Sequence, residues 1–450
     1  MTANPSTTAQ SGASLENDAP RYNAMQGWWA VFVLFIAYAL AFIDRTIISL
    51  LVGPMKADFG LTDTQISLLQ GIAFTLFYAT LAYPIATFSD RKNRPLIIGL
   101  GVFVWSLMTT ACGFAANFVQ LFLARMGVGV GEATLGPAAL SLVADLFPPE
   151  RRGRAMAVLS CGISIGGGLA FILGGYIVGL VTADDMSVPF LDGLSSWRVV
   201  FILVGLPGIL AALLFITIPE PRSRRKAETV EPEPKQEKSV PILPFLKTKP
   251  VQIISLFFGF SISGLLFLAL MSWGPTWLHR EFGASFPQAG KLIGWGLLIF
   301  GPIGAILGGW LADWGIAHSR KDSPYWVGFV GVLFMALCGI ASILAPTFLI
   351  SGWLIAAALF FGSFAYPAGA SAVQAMAPGP IRARFAALYL FTVTMISATL
   401  GPTIVAVLTD YVFGDPARIG DSITWTILLT APLGLIACAV GARQARSQPE

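Results

Sequence analysis

Twelve long apolar stretches constrain this chain more than any other feature of its sequence. A helix needs about 20 apolar residues to cross the hydrocarbon core of a bilayer. Each stretch is a continuous apolar run without period-2 alternation, which predicts membrane-spanning helices rather than barrel strands. The stretches are 27–50, 65–88, 96–116, 118–145, 154–180, 196–218, 251–278, 289–312, 325–345, 348–376, 383–411 and 423–442.

The composition supports an all-α membrane protein. Apolar residues make up 55% of the chain and charged residues only 12%, whereas soluble domains carry about 25% charged residues. A soluble enzyme, a nucleic-acid binder and a disordered protein are therefore poor fits. Cys112, Cys161, Cys338 and Cys438 lie within apolar stretches without metal-ligand spacing, so no metal site or cofactor is expected.

The apolar stretches divide into two groups of six. Residues 27–218 are predicted to form one six-helix bundle and residues 251–442 a second. The segment 219–250 holds seven prolines, eight basic and five acidic residues, which predicts a solvated linker. Residues 1–26 and 443–450 are expected to be tails, the first of them disordered.

Positive charges predict the orientation in the membrane, because cytoplasmic loops are enriched in Lys and Arg. With both termini inside, 21 basic residues fall on the cytoplasmic side and five on the other. The prediction is a multi-pass protein of the inner or plasma membrane with both termini cytoplasmic. A monomer is expected.

The two halves repeat the same features at a nearly constant spacing. Ser89-Asp90-Arg91 is echoed by Ala312-Asp313-Trp314 after 223 positions, and Trp197 by Trp425 after 228. The Arg152-Gly153-Arg154 segment is echoed by Arg382-Ala383-Arg384 after 230. Two parallel six-helix repeats joined by a cytoplasmic linker describe the major facilitator fold.

Loop motifs add a resemblance to the major facilitator superfamily. Gly309-Trp310-Leu311-Ala312-Asp313 resembles the Gly-x-Leu-Ala-Asp start of the superfamily's loop motif, and residues 86–94 resemble its first-half copy. A narrower resemblance over roughly residues 27–222 is to the spinster-like branch. It rests on Phe42-Ile43-Asp44-Arg45, Leu68-Leu69-Gln70, Ser89 to Arg94, Trp105-Ser106-Leu107, Arg125 to Ala133, Ala144 to Phe147, and Pro219 to Arg222. The resemblance implies transport of lysolipids or sphingoid phosphates.

Away from the ends of the predicted spans, four charged residues lie at membrane depth, all in the first half: Asp44, Arg45, Arg125 and Glu132. Charges in the hydrocarbon region are costly and usually functional. Asp44 and Arg125 lie at the same depth, about 10 Å below the outer surface, so we expect them to pair. Glu132 shares the Arg125 helix face about 10 Å deeper. Arg45 points away from Asp44, and both a packing role and a cavity role remain open.

These residue types suit proton coupling. Burial favours the protonated form of a carboxylate, whereas a nearby arginine favours the charged form. Protonation of Asp44 would release Arg125 to bind an anionic head group through its planar fork. Asp44 and Glu132 are therefore the candidate proton carriers, and Arg125, Arg45 and Glu132 the candidate substrate contacts. A purely structural ion pair is the alternative.

The second half offers aromatic residues instead of charges, among them Trp273 and Tyr366, which we expect to contact substrate. A cavity that is polar on one side and apolar on the other suits an amphiphilic anion such as a lysolipid or sphingoid phosphate. The alternative is proton-coupled transport of a small organic anion or drug-like compound, since organic-anion symporters also carry an Asp-Arg pair in span one. A hydrolase and a channel are disfavoured, because no nucleophile motif and no filter-like loop is visible.

Charged residues near the cytoplasmic ends predict a latch between the halves. Asp90 is expected to approach the start of span eleven near Arg382, where the helix dipole is positive. We expect Arg94 to reach Asp145, and the pseudo-symmetric Asp313 to face Arg151 at the start of span five. Such contacts would break when the cavity opens inward. The alternative is that these are ordinary solvated loops.

Overall fold

The computed structural model describes residues 24–89, 92–182, 193–221 and 242–447, and the described residues form helices without strands. This confirms the predicted all-α class. The first half comprises α1 (Ala24–Phe59), α2a (Asp63–Gln70), α2b (Ile72–Ser89), α3 (Arg94–Gly113), α4a (Phe118–Glu132), α4b (Leu135–Leu146), α5 (Pro149–Thr182) and α6 (Ser196–Leu214, extended by the 3-10 turn Phe215–Thr217).

The second half repeats this order. It comprises α7 (Pro250–Phe282), α8 (Phe286–Ala317), α9 (Ser323–Ile343), α10a (Phe348–Gly362), α10b (Ala365–Met376), α11 (Gly379–Val407, extended by the π-helical segment Leu408–Phe413) and α12 (Ile419–Arg446, preceded by the 3-10 turn Pro416–Arg418). Most of the predicted linker and the predicted disordered tail lie outside the described residues. Ile242–Thr248 forms a short helix just before α7.

The twelve predicted spans match the twelve α-numbered units. Among the described residues, eleven helices are long and apolar enough to cross a membrane, and α5 contains a shorter apolar stretch, Ile165–Val181. Several helices begin at their own capping residue. The side chains of Asn93, Asn117, Ser285 and Thr347 each accept a hydrogen bond from a backbone N–H in the first turn of the helix that follows.

Three spans are broken, although the sequence predicted continuous helices. The break in α2 falls at Gly71, where an added Cβ would lie 2.7 Å from the carbonyl oxygen of Ala398 in α11. The breaks in α4 and α10 follow Glu132 and Gly362. Interrupted helices at mid-membrane often border the transport site, because their free backbone groups can face a cavity.

The two faces of the bundle differ in how the halves pack. We call the face where α1 begins and α12 ends the terminal face, and the opposite one the distal face. One buried apolar cluster joins both halves toward the distal face and includes Leu50, Phe171 and Ile293. Toward the terminal face, a second cluster contains only residues up to Ile218, and a third only residues from Ile253 onward.

The halves therefore meet at the distal side and separate toward the terminal face. Contacts between the halves run along α5 with α8, α2 with α11, and α1 with α7. The close approach of α5 and α8 needs glycine: a Cβ at Gly168 would lie 2.6 Å from Leu298, and one at Gly294 2.7 Å from Ile172. A cleft between the halves opens to the terminal face.

Candidate functional site

Asp44 and Arg125 lie together in the first half, but not as the predicted side-chain ion pair. Both side chains are buried. The guanidinium Nη1 of Arg125 donates to the backbone carbonyl oxygen of Asp44 at 3.3 Å. The Asp44 carboxylate accepts instead from the Thr109 hydroxyl, with 2.6 Å between Oδ2 and Oγ1. Asp44 Oδ1 and Arg125 Nε have no hydrogen-bond partner among the described residues.

Arg45 forms the ion pair of this site, with Glu132. Its Nε and Nη2 lie 2.7 and 2.5 Å from Glu132 Oε2. The Arg45 side chain is 30% exposed, whereas the Glu132 side chain is fully buried. Glu132 Oε1 is a further buried oxygen without a partner among the described residues. Arg45, whose role the sequence left open, therefore belongs to the charged cluster.

Aromatic rings hold the Arg45 guanidinium from three sides. Its central carbon lies 5.5, 4.6 and 4.7 Å from the ring centroids of Phe42, Phe74 and Tyr78. The Arg125 guanidinium lies 5.9 Å from the same Phe74 ring. A guanidinium over an aromatic face is attracted by the ring quadrupole, more strongly where water is excluded. The rings thus stabilise both positive charges without adding a negative one.

Alternating glycines bring α4a close enough to place its two charges. An added Cβ at Gly129 would lie 2.3 Å from the Phe74 carbonyl oxygen, and one at Gly131 2.7 Å from Trp105 Cβ. These glycines therefore serve the close packing of α4a against its neighbours. The helix then breaks directly after Glu132, and the Thr134 hydroxyl donates to the Gly131 carbonyl at 2.9 Å. Glu132 therefore sits at the end of a half-helix, next to the cleft.

The cluster lies where the joint core ends and the cleft begins. Ile43 and Ile47 of α1 belong to the core shared by both halves. Ala41 of α1 and Phe74 belong to the core of the first half alone. The four charged residues on α1 and α4a are thus close to the apex of the cleft.

The two aromatic residues predicted on the opposite side differ in accessibility. Tyr366 of α10b is 69% exposed and lies near Tyr78 of the first half. Trp273 is buried, and its indole N–H donates to the Pro402 carbonyl at 2.9 Å. Tyr366 can therefore reach a molecule in the cleft in this conformation, whereas Trp273 packs α7 against α11.

Of the predicted latch contacts, the described residues show the pair of Arg94 with Asp145 but no ion pair of Asp313 with Arg151. Arg94 is buried and reaches Asp145 as expected, with 2.7 Å between Nη1 and Oδ2. It also binds Glu220, 2.5 Å from Nη2 to Oε1, a partner that the sequence did not reveal. Neither contact reaches the second half.

The other latch residues form contacts near their own helices. Asp313 accepts a hydrogen bond from Ser371 at 2.7 Å, in its own half, and Arg382 donates to the Ala377 carbonyl at 3.1 Å. Arg151 is exposed, and Asp90 lies outside the described residues. The cleft that opens to the terminal face is consistent with this separation.

Two parts of the site could not be read from the sequence. Thr109 was missed because threonine is common in apolar spans, although its place two residues after the Trp105-Ser106-Leu107 motif is a usable signal. Phe74 and Tyr78 were missed because aromatic residues in a span usually face lipid or core. Their spacing of four residues puts them on one helix face.

Comparisons with known proteins agree with the fold and with the position of the charges. A family model described as Major Facilitator Superfamily matches residues 34–402. The solved structure of a bacterial homologue of the human lysosomal transporter Spinster, in an inward-facing and unoccupied conformation, superposes with a TM-score of 0.80. It is 29% identical and covers 94% of this chain and 98% of that one. The chain belongs to the major facilitator superfamily, in its spinster-like branch, and is a multi-pass membrane transporter.

Other relatives have different substrates in their names. An MFS-type efflux pump of Mycolicibacterium smegmatis is 27% identical over 417 residues, which cover 90% of this chain and 89% of that protein. A hexuronate transporter of Bacillus subtilis is 29% identical over 324 residues, which cover 67% of this chain and 72% of that protein. Family membership therefore establishes transport and leaves the substrate to be argued from the site.

Proposed function

We propose that this protein is a proton-coupled secondary transporter that moves an amphiphilic anion, such as a lysolipid or sphingoid phosphate, by alternating access. The observation that carries the proposal is the pair of buried, unpartnered atoms near the apex of the cleft, Asp44 Oδ1 and Arg125 Nε. A buried polar atom without a partner costs about 1–3 kcal/mol. This cost of the unpartnered carboxylate oxygen and guanidinium nitrogen is explained if each gains a hydrogen-bond partner at another stage of transport.

Asp44 is the proposed proton carrier. Its Oδ1 is the free position for a proton, because Oδ2 is held by Thr109. Protonation removes the negative charge of the Asp44 side chain, whose backbone carbonyl contacts Arg125. The Arg125 guanidinium then has an uncompensated positive charge and a free Nε–H, and both favour an anionic head group. Proton and substrate anion thereby bind together.

Arg45 and Glu132 supply a second exchange of the same kind. Arg45 is exposed enough to meet a ligand, whereas Glu132 is not. A phosphate or carboxylate that binds Arg45 competes with Glu132 for the guanidinium. A buried Glu132 without Arg45 is a stranded charge, which a second proton would neutralise. Asp44 and Glu132 would therefore each take up a proton when the same anionic head group binds the two arginines.

The opposite side of the cleft suits the rest of an amphiphile. The second half presents Tyr366 and Phe391 as exposed aromatic side chains. Among the residues that the structure describes, no charged side chain of the second half is buried inside a span at the depth of Arg125. An amphiphile could place its head group against the charged side of the cleft and its alkyl chain against the aromatic side, so that each part meets matching side chains.

A small organic anion or drug-like compound is the second candidate. It is supported by the similarity to the hexuronate transporter and the efflux pump. The two candidates share the anion contact at Arg125 and differ in the need for the aromatic side. The Arg45 and Arg125 sites alone would serve a short carboxylate.

A binding screen separates these candidates. The thermal unfolding of purified protein is measured with lysophospholipids, sphingoid phosphates, short carboxylates and hexuronates. We expect stabilisation by the lipid phosphates that is lost in Arg125→Lys, because lysine does not present the planar fork. Stabilisation by carboxylates alone would favour the second candidate. Unaltered binding of lipid phosphates by Arg125→Ala would contradict the assigned anion contact.

We propose that the protein lies in the inner or plasma membrane as a monomer, with the terminal face cytoplasmic. The bias of Lys and Arg toward that face supports the orientation. A fluorescent protein fused after Glu450 should fold and fluoresce inside the cell. A fusion after Gly283, which ends α7 on the distal face, should not. The reverse result would contradict the orientation.

The latch on the terminal face is part of the same proposal. Asp90, Asp313 and Arg382 would come together with the opposite half when the cleft closes, while Arg94 and Asp145 fix the loop. Asp90→Asn should shift the population toward the conformation with an open terminal face, because it removes a contact made in the other state only. Spin labels at the exposed Phe88 and Ala387 report the distance. An unchanged distribution would refute the latch.

A further inference from the structure

A cluster of four charged residues joins the two halves at the distal face. Lys56 and Asp63 come from the first half, and Arg280 and Asp410 come from the second. We call them the distal ion cluster. They are remote from the four charged residues of the transport site, and no motif in the sequence singled them out. We propose that this cluster is a lock that holds the distal side of the transporter shut while the terminal side is open.

The first contact of the lock is a bidentate ion pair across the halves. Arg280 Nη1 lies 2.8 Å from Asp63 Oδ2, and Arg280 Nη2 lies 2.8 Å from Asp63 Oδ1. The Asp63 side chain is fully buried and the Arg280 side chain is 16% exposed. A shielded, fork-shaped pair of this kind is stronger and more specific than an exposed ion pair. It must break when the halves separate on this side.

The second contact is a helix cap supplied by the opposite half. Thr62 caps α2a from its own half and accepts the N–H of Gln65 at 3.1 Å. The first two amides of the helix remain, and both donate to Asp410. The Asp63 N–H lies 3.2 Å from Oδ1, and the Thr64 N–H lies 2.6 Å from Oδ2.

This cap combines hydrogen bonds with the dipole of α2a. Free amides at a helix start attract a carboxylate, and the helix dipole adds to the attraction. Asp410 lies within the π-helical segment Leu408–Phe413 at the end of α11. Such segments are rare in proteins as a whole, but those that occur are frequently found at functional sites. The end of α11 therefore holds the start of α2a.

Lys56 makes the lock reversible. Its Nζ lies 2.6 Å from Asp63 Oδ1, and both residues belong to the first half. When Arg280 withdraws, Asp63 keeps one cation and is not left as an unpaired buried charge, which would be costly. Arg280 likewise keeps the Pro416 carbonyl of its own half, 2.9 Å from Nη1. Each side of the broken lock thus retains a partner.

The lock and the terminal latch act in opposite directions. The contacts of the distal ion cluster that cross the halves, Arg280 with Asp63 and Asp410 with the start of α2a, exist only when the distal side is closed, so they favour the present conformation. This inference rests on the alternating access of the proposed function, but not on the substrate or the coupled ion. Removing the lock should therefore favour the state with an open distal face, even without a substrate.

Spin-label distances on the full-length protein in lipid nanodiscs test the lock without any ligand. One label pair is placed at Ala57 and Glu281, both exposed at distal helix ends, and a second pair at Phe88 and Ala387 reports the terminal face. Asp410→Asn weakens the cap, and Arg280→Gln breaks the ion pair while Lys56 still holds Asp63. We expect each variant to lower the ratio of distal-closed to distal-open molecules about tenfold.

Two variants on the same face serve as matched controls. Asp58→Asn breaks the pair with Arg198 inside the first half, and Asp421→Asn breaks the pair with Arg418 inside the second. Neither should change the distances. Unchanged distal distances in both lock variants, or equal changes in the controls, would overturn the lock. A shift of the distal pair would uphold it even if Asp44→Asn showed that the proposed proton coupling is wrong.

Discussion

The two broken helices α4 and α10 have the same architecture and opposite chemistry. Their first parts, Phe118–Glu132 and Phe348–Gly362, are both 15 residues long and begin 230 positions apart. Their second parts, Leu135–Leu146 and Ala365–Met376, are both 12 residues long with the same shift. The duplicated fold therefore requires the break itself and does not require a charge beside it.

The equivalent side chains separate packing from function. The position equivalent to Arg125 is Ile355, which is buried, and the position equivalent to Glu132 is Gly362. The second half shows that this helix folds and packs with apolar or small residues there. Burying the charges of the first half costs folding free energy, and the fold does not require them. This favours a role for them in transport.

The largest difference between the two halves is expected for substitutions at the equivalent positions Arg125 and Ile355. Arg125→Lys should abolish measurable substrate binding and transport, since it removes the fork that meets the head group. Ile355→Ala should instead lower the free energy of unfolding by about 2–5 kcal/mol, because it opens a cavity in the core. Substrate affinity should stay near the wild-type value in Ile355→Ala. Uptake into proteoliposomes and thermal unfolding measure the two effects, and equal loss of affinity in both variants would contradict the comparison.

Much of the fold, and part of the site, could be predicted from local sequence. Spans, repeat and fold class follow from runs of apolar residues, and the four buried charges are conspicuous in such runs. The pairing was not predictable, because it depends on how α1 is rotated against α4a. Equal depth placed Asp44 beside Arg125 correctly. It could not show that the guanidinium meets a backbone carbonyl, or that Arg45 turns to Glu132.

The helix breaks could not be predicted for a related reason. Gly71 has the conformational freedom for a break, and the carbonyl of Ala398, on a helix more than 300 positions away in sequence, leaves no room for a Cβ there. The distal ion cluster escaped prediction because Asp63 and Asp410 lie close to the ends of predicted spans, where charged residues are common. Only the arrangement of the two halves brings them together.

A smaller effect is expected at the second pair of equivalent positions. Glu132→Gln removes the charge that holds Arg45, so we expect transport to fall about tenfold to a hundredfold, with substrate binding less sensitive to pH. Gly362→Ala adds a Cβ only 2.7 Å from Phe267 Cδ2 and should lower thermal stability without altering that pH dependence. Binding titrations across pH distinguish them. A normal pH profile in Glu132→Gln would show that the residue is structural.

The smallest of these effects is expected from the hydroxyl beside Asp44. Thr109→Val removes the hydrogen bond to Asp44 Oδ2, which is worth about 1.5–3 kcal/mol for a charged acceptor. The carboxylate then takes up a proton more readily, and the pH dependence of transport should move toward higher pH. Thr110→Val is the matched control, because its hydroxyl donates to the Ser106 carbonyl within α3. The same pH shift in both variants would contradict the special role of Thr109.

The most direct test of the account is the Asp44→Asn variant in proteoliposomes loaded with substrate. Asparagine keeps the size of the side chain and cannot exchange a proton. In this variant, uptake driven by a pH gradient should be lost, while exchange of labelled for unlabelled substrate across the membrane should continue. Uptake that still follows the pH gradient as in the wild-type protein would contradict the assignment of Asp44 as the proton carrier.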